Sequence, residues 1–386
     1  MNDTNDHLWI DSPASLAQLC TRIRDADWIA LDTEFMRERT YYPQLCLVQL
    51  ATPELIACVD PLALPGLEPL LEILADTRIT KVLHAARQDL EIFFNLSQQV
   101  PAPVFDTQLA ASFAGFPDQI GYGALVESLL GVHLEKGHTR ADWSRRPLPE
   151  GAVRYAADDV RYLRDVYLKL REELERRNRL DWLQRERATL ENPDTYRTDP
   201  EQAWQRLRGL QRLKPRQLAV VKNLAAWREQ RAISGDLPRQ WIIKDDLLLD
   251  MARQQPASLE ALQQLRGMNE STVRKHGTEL LALIQDQQTD ATPLTAPSRL
   301  DPAAEALVDA LVSVVRIRSA AAGISPAQLA TRADLERLVR GEREIGVLSG
   351  WRLDTVGRDL LRLLNGETCL QVRDGQLCLL DTPPAG

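Results

Sequence analysis

Long apolar runs are missing from this sequence. None of its 386 residues falls in an uncharged apolar stretch of about 18, so no membrane-spanning helix is expected. Cysteine is sparse and scattered. Cys20, Cys46, Cys58, Cys369 and Cys378 form no C-x-x-C pair, which argues against a zinc ribbon and a disulfide framework and fits a reducing compartment. The opening MNDTNDHLWI is acidic and lacks the basic-then-apolar layout of a signal peptide, so a cytoplasmic, membrane-free protein is expected. The phosphate-cradling pattern G-x-x-x-x-G-K-[ST] is absent, which removes P-loop ATPases and helicases. There is no low-complexity segment.

Positive charge is also in deficit overall. The net charge is −8, which by itself argues against a polyanionic partner. Its distribution reverses the argument. Residues 1–200 hold 22 Lys+Arg against 32 Asp+Glu, whereas residues 201–300 hold 15 against 11. Nucleic acid would meet the middle of the chain favourably, and an acidic part can still take phosphate once divalent cations invert its local sign.

What is present reads as three domains. Short apolar runs at Trp28–Leu31, Leu45–Leu50, Leu55–Val59, Lys81–His84 and Val104–Phe105 have strand character. Helical spacing occupies Gly66–Leu74, Arg87–Leu96, Thr107–Phe113 and an Arg-rich stretch over 150–187. The expectation is an α/β domain over 1–195 with a mixed sheet flanked by helices. Polar punctuation at 191–200 and 290–297 then separates a helical domain over 200–289 from another over 298–386, and the latter ends in a hairpin around Asp374-Gly375.

Three segments carry acids in unusual settings. Asp32 and Glu34 are two apart at the end of an apolar strand and share a face. Asp89 stands in the first turn of a helix after a strand. Tyr155 and Asp159 are four apart on a helix and share a face. Gathering four carboxylates is unfavourable. At about 5 Å and an effective dielectric near 20, each pair repels by roughly 3 kcal/mol, so six pairs reach an upper bound on the order of 20 kcal/mol. Protonation or divalent cations must offset this, and hard oxygen ligands favour Mg²⁺ or Mn²⁺. Two such ions about 3.5–4 Å apart suit phosphodiester hydrolysis.

The D-x-E strand, the later Asp and the Y-x-x-x-D helix resemble the three motifs of the DEDD exonucleases, tyrosine subclass. The longer text DTEFMRERTYYPQLCLVQLA, FDTQLAASFAG, RADWSRRPL and YAADDVRYL is similar to the ribonuclease D family. AAWREQRAISGDLPRQWIIKDDLLLDMA and LEALQQLRGMNESTVRKHGTELLALI resemble an HRDC domain, and residues 301–386 resemble a diverged second one. The resemblance implies an RNase H-like exonuclease domain followed by two all-α HRDC-type domains. It implies two divalent metals and release of nucleoside 5′-monophosphates from RNA 3′ ends, typically precursor tRNA trailers. By motif match Asp32 bridges both metals, Glu34 and Asp159 complete the shell of the water-carrying one, Asp89 acts through hydration of the second, and Tyr155 orients the water.

Other residues have two readings. His84 either contacts RNA or is a satisfied core histidine. Lys136, Arg140 and Trp143 either touch the RNA 3′ end or pack against the long helix. Arg206, Arg208, Arg212, Lys214, Arg216 and Lys222 form a basic run offered as an RNA-contacting surface. Asp106 reads as a helix cap and Asp158 as a salt-bridged neighbour. The function expected is a monomeric exoribonuclease acting on tRNA precursors and other RNAs with single-stranded 3′ ends. The alternatives are a DNA exonuclease of the proofreading kind and a catalytically dead RNA-binding scaffold.

Overall fold

The structure is a computed structural model and describes residues 7–134, 137, 141–286 and 299–382. Two compact units divide the chain: Met1–Glu34, Cys46–Pro193 and Arg299–Gly386 form one, and Phe35–Leu45 with Asp194–Ser298 form the other.

The first unit is built on a six-stranded sheet in the order β1-β4-β3-β2-β5-β6. Its strands are β1 (Leu8–Ile10), β2 (Trp28–Met36), β3 (Gln44–Ala51), β4 (Ile56–Val59), β5 (Thr80–Leu83) and β6 (Val104–Asp106). β2, β5 and β6 run parallel in sequence, β1 is parallel to β4, and β3 is antiparallel to β4. Parallel strands are covered on both faces and read as unbroken apolar runs, as Trp28–Leu31 does; all four of those residues are buried. Helices α1 (Pro13–Ile23), α2 (Glu68–Ala75), α3 (Arg87–Ser97), α4 (Thr107–Ala114), α5 (Tyr122–Leu130), α6 (Glu150–Arg176) and α7 (Leu180–Leu190) complete this part. α6 carries a continuous stripe, Ala152, Ala156, Val160, Leu163, Tyr167, Leu170 and Leu174, buried at helical spacing.

Expected strands and helices occur where the periodicity placed them, but β1, α1 and α5 were not anticipated. β1 has only three residues and exists by pairing Leu8–Ile10 with Ala57–Val59, a long-range contact no local pattern announces. α1 did carry a legible start, since Ser12 caps it through Ser15 with proline in the first turn.

Mid-sheet, β5 buries a lysine. Lys81 stands in register with Ile29 and Val104, and its Nζ donates to the carbonyls of Asp76 (2.6 Å), Ile79 (2.8 Å) and Ala102 (2.6 Å). Three donors meet three acceptors, which makes burial of the cation tolerable, although desolvation still pulls its pKa down to about 8.

The second unit is helical: α8 (Pro215–Gly235), α9 (Arg239–Ile242), α10 (Asp245–Gln254), α11 (Leu259–Gln263) and α12 (Glu270–Gln285) enclose a core including Leu224, Trp227, Leu248, Met251, Leu262 and Leu280. It also takes eleven residues from the early sequence. The Tyr41 hydroxyl donates to buried Glu229, and the Tyr41 and Tyr42 amides donate to Asp236 Oδ1 at 2.9 and 3.1 Å.

The last part of the chain packs into the first unit. It comprises α13 (Pro302–Ala322), α14 (Pro326–Leu329), α15 (Arg332–Val339), α16 (Gly350–Arg352), a π-helical turn over Leu353–Gly357 and α17 (Arg358–Leu364). It ends in the expected hairpin, β7 (Thr368–Arg373) and β8 (Gln376–Asp381), whose turn residues Asp374 and Gly375 both have positive φ. This part is therefore not wholly helical. Trp351 stacks on Trp182 of α7 (centroids 4.4 Å apart) and meets Phe113 edge-on. Its indole donates to Glu186 at 3.0 Å, and Arg352 pairs with the same carboxylate. Arg179 donates to Phe113 O (2.7 Å) and Ala322 O (2.5 Å).

Trp351→Ala should therefore destabilise the first unit. A buried aromatic truncation costs about 3–5 kcal/mol, and its thermal transition should drop by roughly 6–12 °C, with Trp351→Phe losing less than half as much. A calorimetric scan showing Trp351→Ala unchanged would mean that this packing carries no stability.

Candidate active site

The site grows from the end of β2. The apolar Trp28–Leu31 run fixes the strand in the middle of the sheet, and Asp32 and Glu34 follow directly. Asp159 arrives from α6, whose buried stripe sets its rotation. Side-chain oxygens of Asp32, Glu34 and Asp159 lie within 4.8 Å of one another, and all three residues are half-buried. With Tyr155 and Thr33 they line a cavity of about 410 Å³, whose other walls include His84, Tyr122 and Leu163.

Asp89 sits beside this group rather than in it. It is buried in the first turn of α3 and accepts a 2.5 Å hydrogen bond from Thr33 Oγ1. Thr33 had no role in the sequence reading, because strand alternation assigns the residue between two acids to the other face.

The electrostatics follow the geometry. Burial, then Asp159, Asp89 and Glu34, hold the Asp32 carboxyl well above its usual range. Burial, then Asp159 and Asp89, push Glu34 up to about 8. Asp159 rises to about 7 through burial and Asp158. Asp89 rises to about 6 through burial, with the Thr33 hydrogen bond opposing. Burial, Asp159, Glu34 and Asp32 raise Tyr155, so its phenol keeps its proton at neutral pH.

Supporting residues hold these elements in place. Asp106 caps α4 through the amides of Gln108 (2.8 Å) and Leu109 (3.2 Å) and also accepts from Ala85 and Ala86. Asp158 pairs with Arg161 at 2.9 Å. In the RADWSRRPL segment, Arg146 grips Asp60 with two bonds, 2.6 and 2.7 Å, and donates to Cys46 O at 2.6 Å. This pins the entry to α6. The partnership of Arg146 with Asp60 spans 86 residues and leaves no local signal. Trp143 is buried with its ring 6.4 Å from that of Tyr155.

Both ring nitrogens of His84 have protein partners, Nδ1 with Thr107 Oγ1 and Nε2 with Ile120 O, each at 3.0 Å. Burial lowers its pKa, so the ring is neutral and Nε2–H donates to the carbonyl. Lys136 and Arg140 lie outside the described residues. Of the basic run, Arg206, Arg208, Arg212 and Lys214 are exposed. Arg206 pairs with Glu229 at 3.2 Å, and Lys222 lies over the Trp204 ring at 5.2 Å. Arg216 donates to Ile284 O (2.9 Å) and Asp286 O at the end of α12. The run is thus several separate settings, not one uniform face.

Comparison with known proteins bears on this geometry. A sequence model of the 3′-5′ exonuclease family matches residues 8–175, and one of the HRDC domain matches residues 217–284. Ribonuclease D of Granulibacter bethesdensis is 44% identical over 383 residues, spanning 97% of this chain and 96% of that protein. The chain belongs to the ribonuclease D family. Ribonuclease D of Acidiphilium cryptum is 41% identical over 384 residues, 97% of each chain. The crystal structure of Escherichia coli RNase D, an exoribonuclease involved in structured RNA processing, matches with a TM-score of 0.82 at 36% identity, covering 95% of this chain and 99% of that one. This family member is a 3′-5′ exoribonuclease with an exonuclease domain of mixed sheet and helices followed by a helical HRDC domain. Its nuclease family depends on divalent metal and its substrates are RNA. No helix among the described residues is long and apolar enough to cross a membrane.

The donor set fits a divalent cation. Three carboxylates offer hard oxygens at close range, and burial first, then neighbouring carboxylates, raise their pKa values. The pH dependence has a definite sign. Glu34 and Asp159 titrate near 8 and 7 in the fold, against ordinary values of 4.5 and 3.8. Folding without metal therefore takes up protons between these limits, so the contribution is complete below about pH 4 and is lost as pH rises through 8. The melting temperature of EDTA-treated protein should fall from pH 5 to pH 9. Asp32→Asn should raise it at pH 8 and flatten the slope, because it removes a carboxyl that burial holds well above its usual range. A pH-independent melting point that Asp32→Asn leaves unmoved would contradict this electrostatic picture.

Proposed function

We propose that this chain trims RNA 3′ ends one nucleotide at a time, releasing nucleoside 5′-monophosphates, with two ions of Mg²⁺ or Mn²⁺ in the carboxylate site. The observation that carries the reading is the meeting of Asp32, Glu34 and Asp159 within 4.8 Å on the wall of a cavity shared with Tyr155. Asp32, Glu34 and Asp159 would hold the cations, with Asp89 acting from beside them. When bound, divalent cations supply the charge that makes water a nucleophile at neutral pH and that offsets the charge on the departing 3′ oxygen.

The protein groups have distinct tasks. The Tyr155 phenol keeps its proton, so it serves as a hydrogen-bond donor that orients the attacking water, not as a base. Glu34 is two residues from Asp32 on the same strand face and borders the space the terminal 3′ hydroxyl would take. Thr33 fixes the carboxylate of Asp89, and the Arg146 clamp on Asp60 and Cys46 fixes the start of the helix that carries Tyr155 and Asp159.

Precursor tRNA trailers and other single-stranded 3′ ends of structured RNAs are the proposed substrates. The HRDC domain would grip the RNA body, supported by the excess of ten Lys+Arg over three acids in residues 201–244. The three-part division at 1–195, 200–289 and 298–386 belongs to the same reading, although the last part packs with the nuclease. A chain cut near Asp194 would expose Trp182 and Phe113, so point substitutions are the cleaner probe.

With Mg²⁺ or Mn²⁺ the full chain should release 5′-monophosphates stepwise from a 5′-labelled single-stranded RNA, and excess EDTA should stop it. Asp32→Asn should abolish turnover. Tyr155→Phe should lower kcat by about 10²–10⁴ with little change in KM, as expected for a group that positions the reacting water. A large KM effect with intact kcat would instead make the tyrosine an RNA-binding group, and full activity of Asp32→Asn would remove the site assignment.

A further inference from the structure

A second polar cavity, of about 400 Å³, lies wholly within the helical unit. Its walls include Arg37 and Tyr41 from the segment that follows Glu34 in the chain, and Arg206, Arg228, Arg239 and Asp245 from the HRDC part. Four guanidinium groups face two acids, Asp245 and the buried Glu229 beneath, leaving a formal excess of two positive charges. Glu229 is already shared among the Tyr41 hydroxyl, Arg206 and Arg239. Arg228 is only 4% exposed. It donates through Nη1 to Ile243 O and Asp245 Oδ1, at 3.0 and 2.6 Å, while its Nε has no hydrogen-bond partner.

Four guanidinium groups around a cavity of about 400 Å³, with two acids set against them, make its wall electropositive. Guanidinium forks match the oxygens of a phosphodiester and bind them in pairs. We propose that this cavity binds a backbone phosphodiester of the RNA substrate. The inference rests on the exoribonuclease reading for the identity of the ligand. It also gives Arg206 a defined setting, paired with buried Glu229 on the cavity wall.

The test measures binding and hydrolysis separately, on the full chain. A labelled single-stranded RNA of about 20 nucleotides is titrated in EDTA, over a range of salt, with wild type, Arg206→Ala, Arg37→Ala and Arg206→Lys. The first two variants should weaken binding roughly 5–10-fold and flatten the salt slope by about 0.7, the value for one phosphate lost on a single strand. Arg206→Lys should recover part of the affinity, since it keeps the charge and loses the fork. Hydrolysis of a dinucleotide with Mn²⁺ should be unchanged in all variants, because its single phosphodiester is taken by the carboxylate site. Melting curves of each variant within a few degrees of wild type establish that the fold is kept.

Unchanged affinity and slope in both alanine variants would overturn the proposal. So would a thermal shift by inorganic phosphate that the variants lose while RNA affinity stays the same, since the pocket would then serve a small free anion. A wild-type chain inert toward the dinucleotide would strike the exonuclease reading instead and leave the EDTA titration to decide the pocket.

Discussion

Mutual repulsion among carboxylates held half-buried at the end of one strand is the constraint that organises the rest of this molecule. Asp32, Glu34 and Asp159 cannot separate, because each is fixed by an element whose position is decided elsewhere: β2 by the apolar Trp28–Leu31 run within the sheet, and α6 by its alanine-rich and leucine-rich stripe. Hydrophobic burial on this scale outweighs the local electrostatic cost, since each fully buried large side chain contributes roughly 1.5–3 kcal/mol. The fold thus stores an unfavourable charge arrangement that divalent cations relieve. Glu34 carries that cost, raised by burial first and then by Asp159 and Asp89, while Asp159 is raised by burial and Asp158.

The same logic explains the polar contacts that surround the site. Asp89 is held by Thr33, and Asp106 holds the turn from β5 into α3 and the start of α4 at once. Arg146 draws the connection before α6 onto β3 and β4. None of these groups needs to touch substrate to matter, because small displacements of reacting groups have large effects on rate. The packing of Trp351 on Trp182 extends the support outward, making the last part of the chain a structural extension of the nuclease.

Much of this was legible in the sequence. Two acids at strand spacing after an apolar run, and a tyrosine and an acid at helical spacing, stated the shared faces before any coordinates. Asp106 before a helical pattern stated its cap. What could not be read were pairings across long separations: Arg146 with Asp60, Tyr41 with Glu229, Trp351 with Trp182. Each looks locally like an ordinary surface or core residue. The Tyr41 case is the most instructive, since part of the motif text after Glu34 is anchored in the helical unit, so the motif serves two units. Charge counting over 201–244 marked the basic segment correctly as a composition. It could not separate Arg216, which closes a helix end, from Arg206, which lines a cavity.

The account stands most directly on the linkage between cation binding and protons at the carboxylate site. Titration calorimetry of Mn²⁺ into the metal-free protein, repeated at pH 7 in buffers of different ionisation enthalpy, counts the protons released. With Asp159 near 7, Glu34 near 8 and Asp32 well above its usual range, binding should expel about one proton or more at pH 7 and progressively fewer as pH rises. Binding without proton release at pH 7, or release that persists unchanged into the alkaline range, would contradict it.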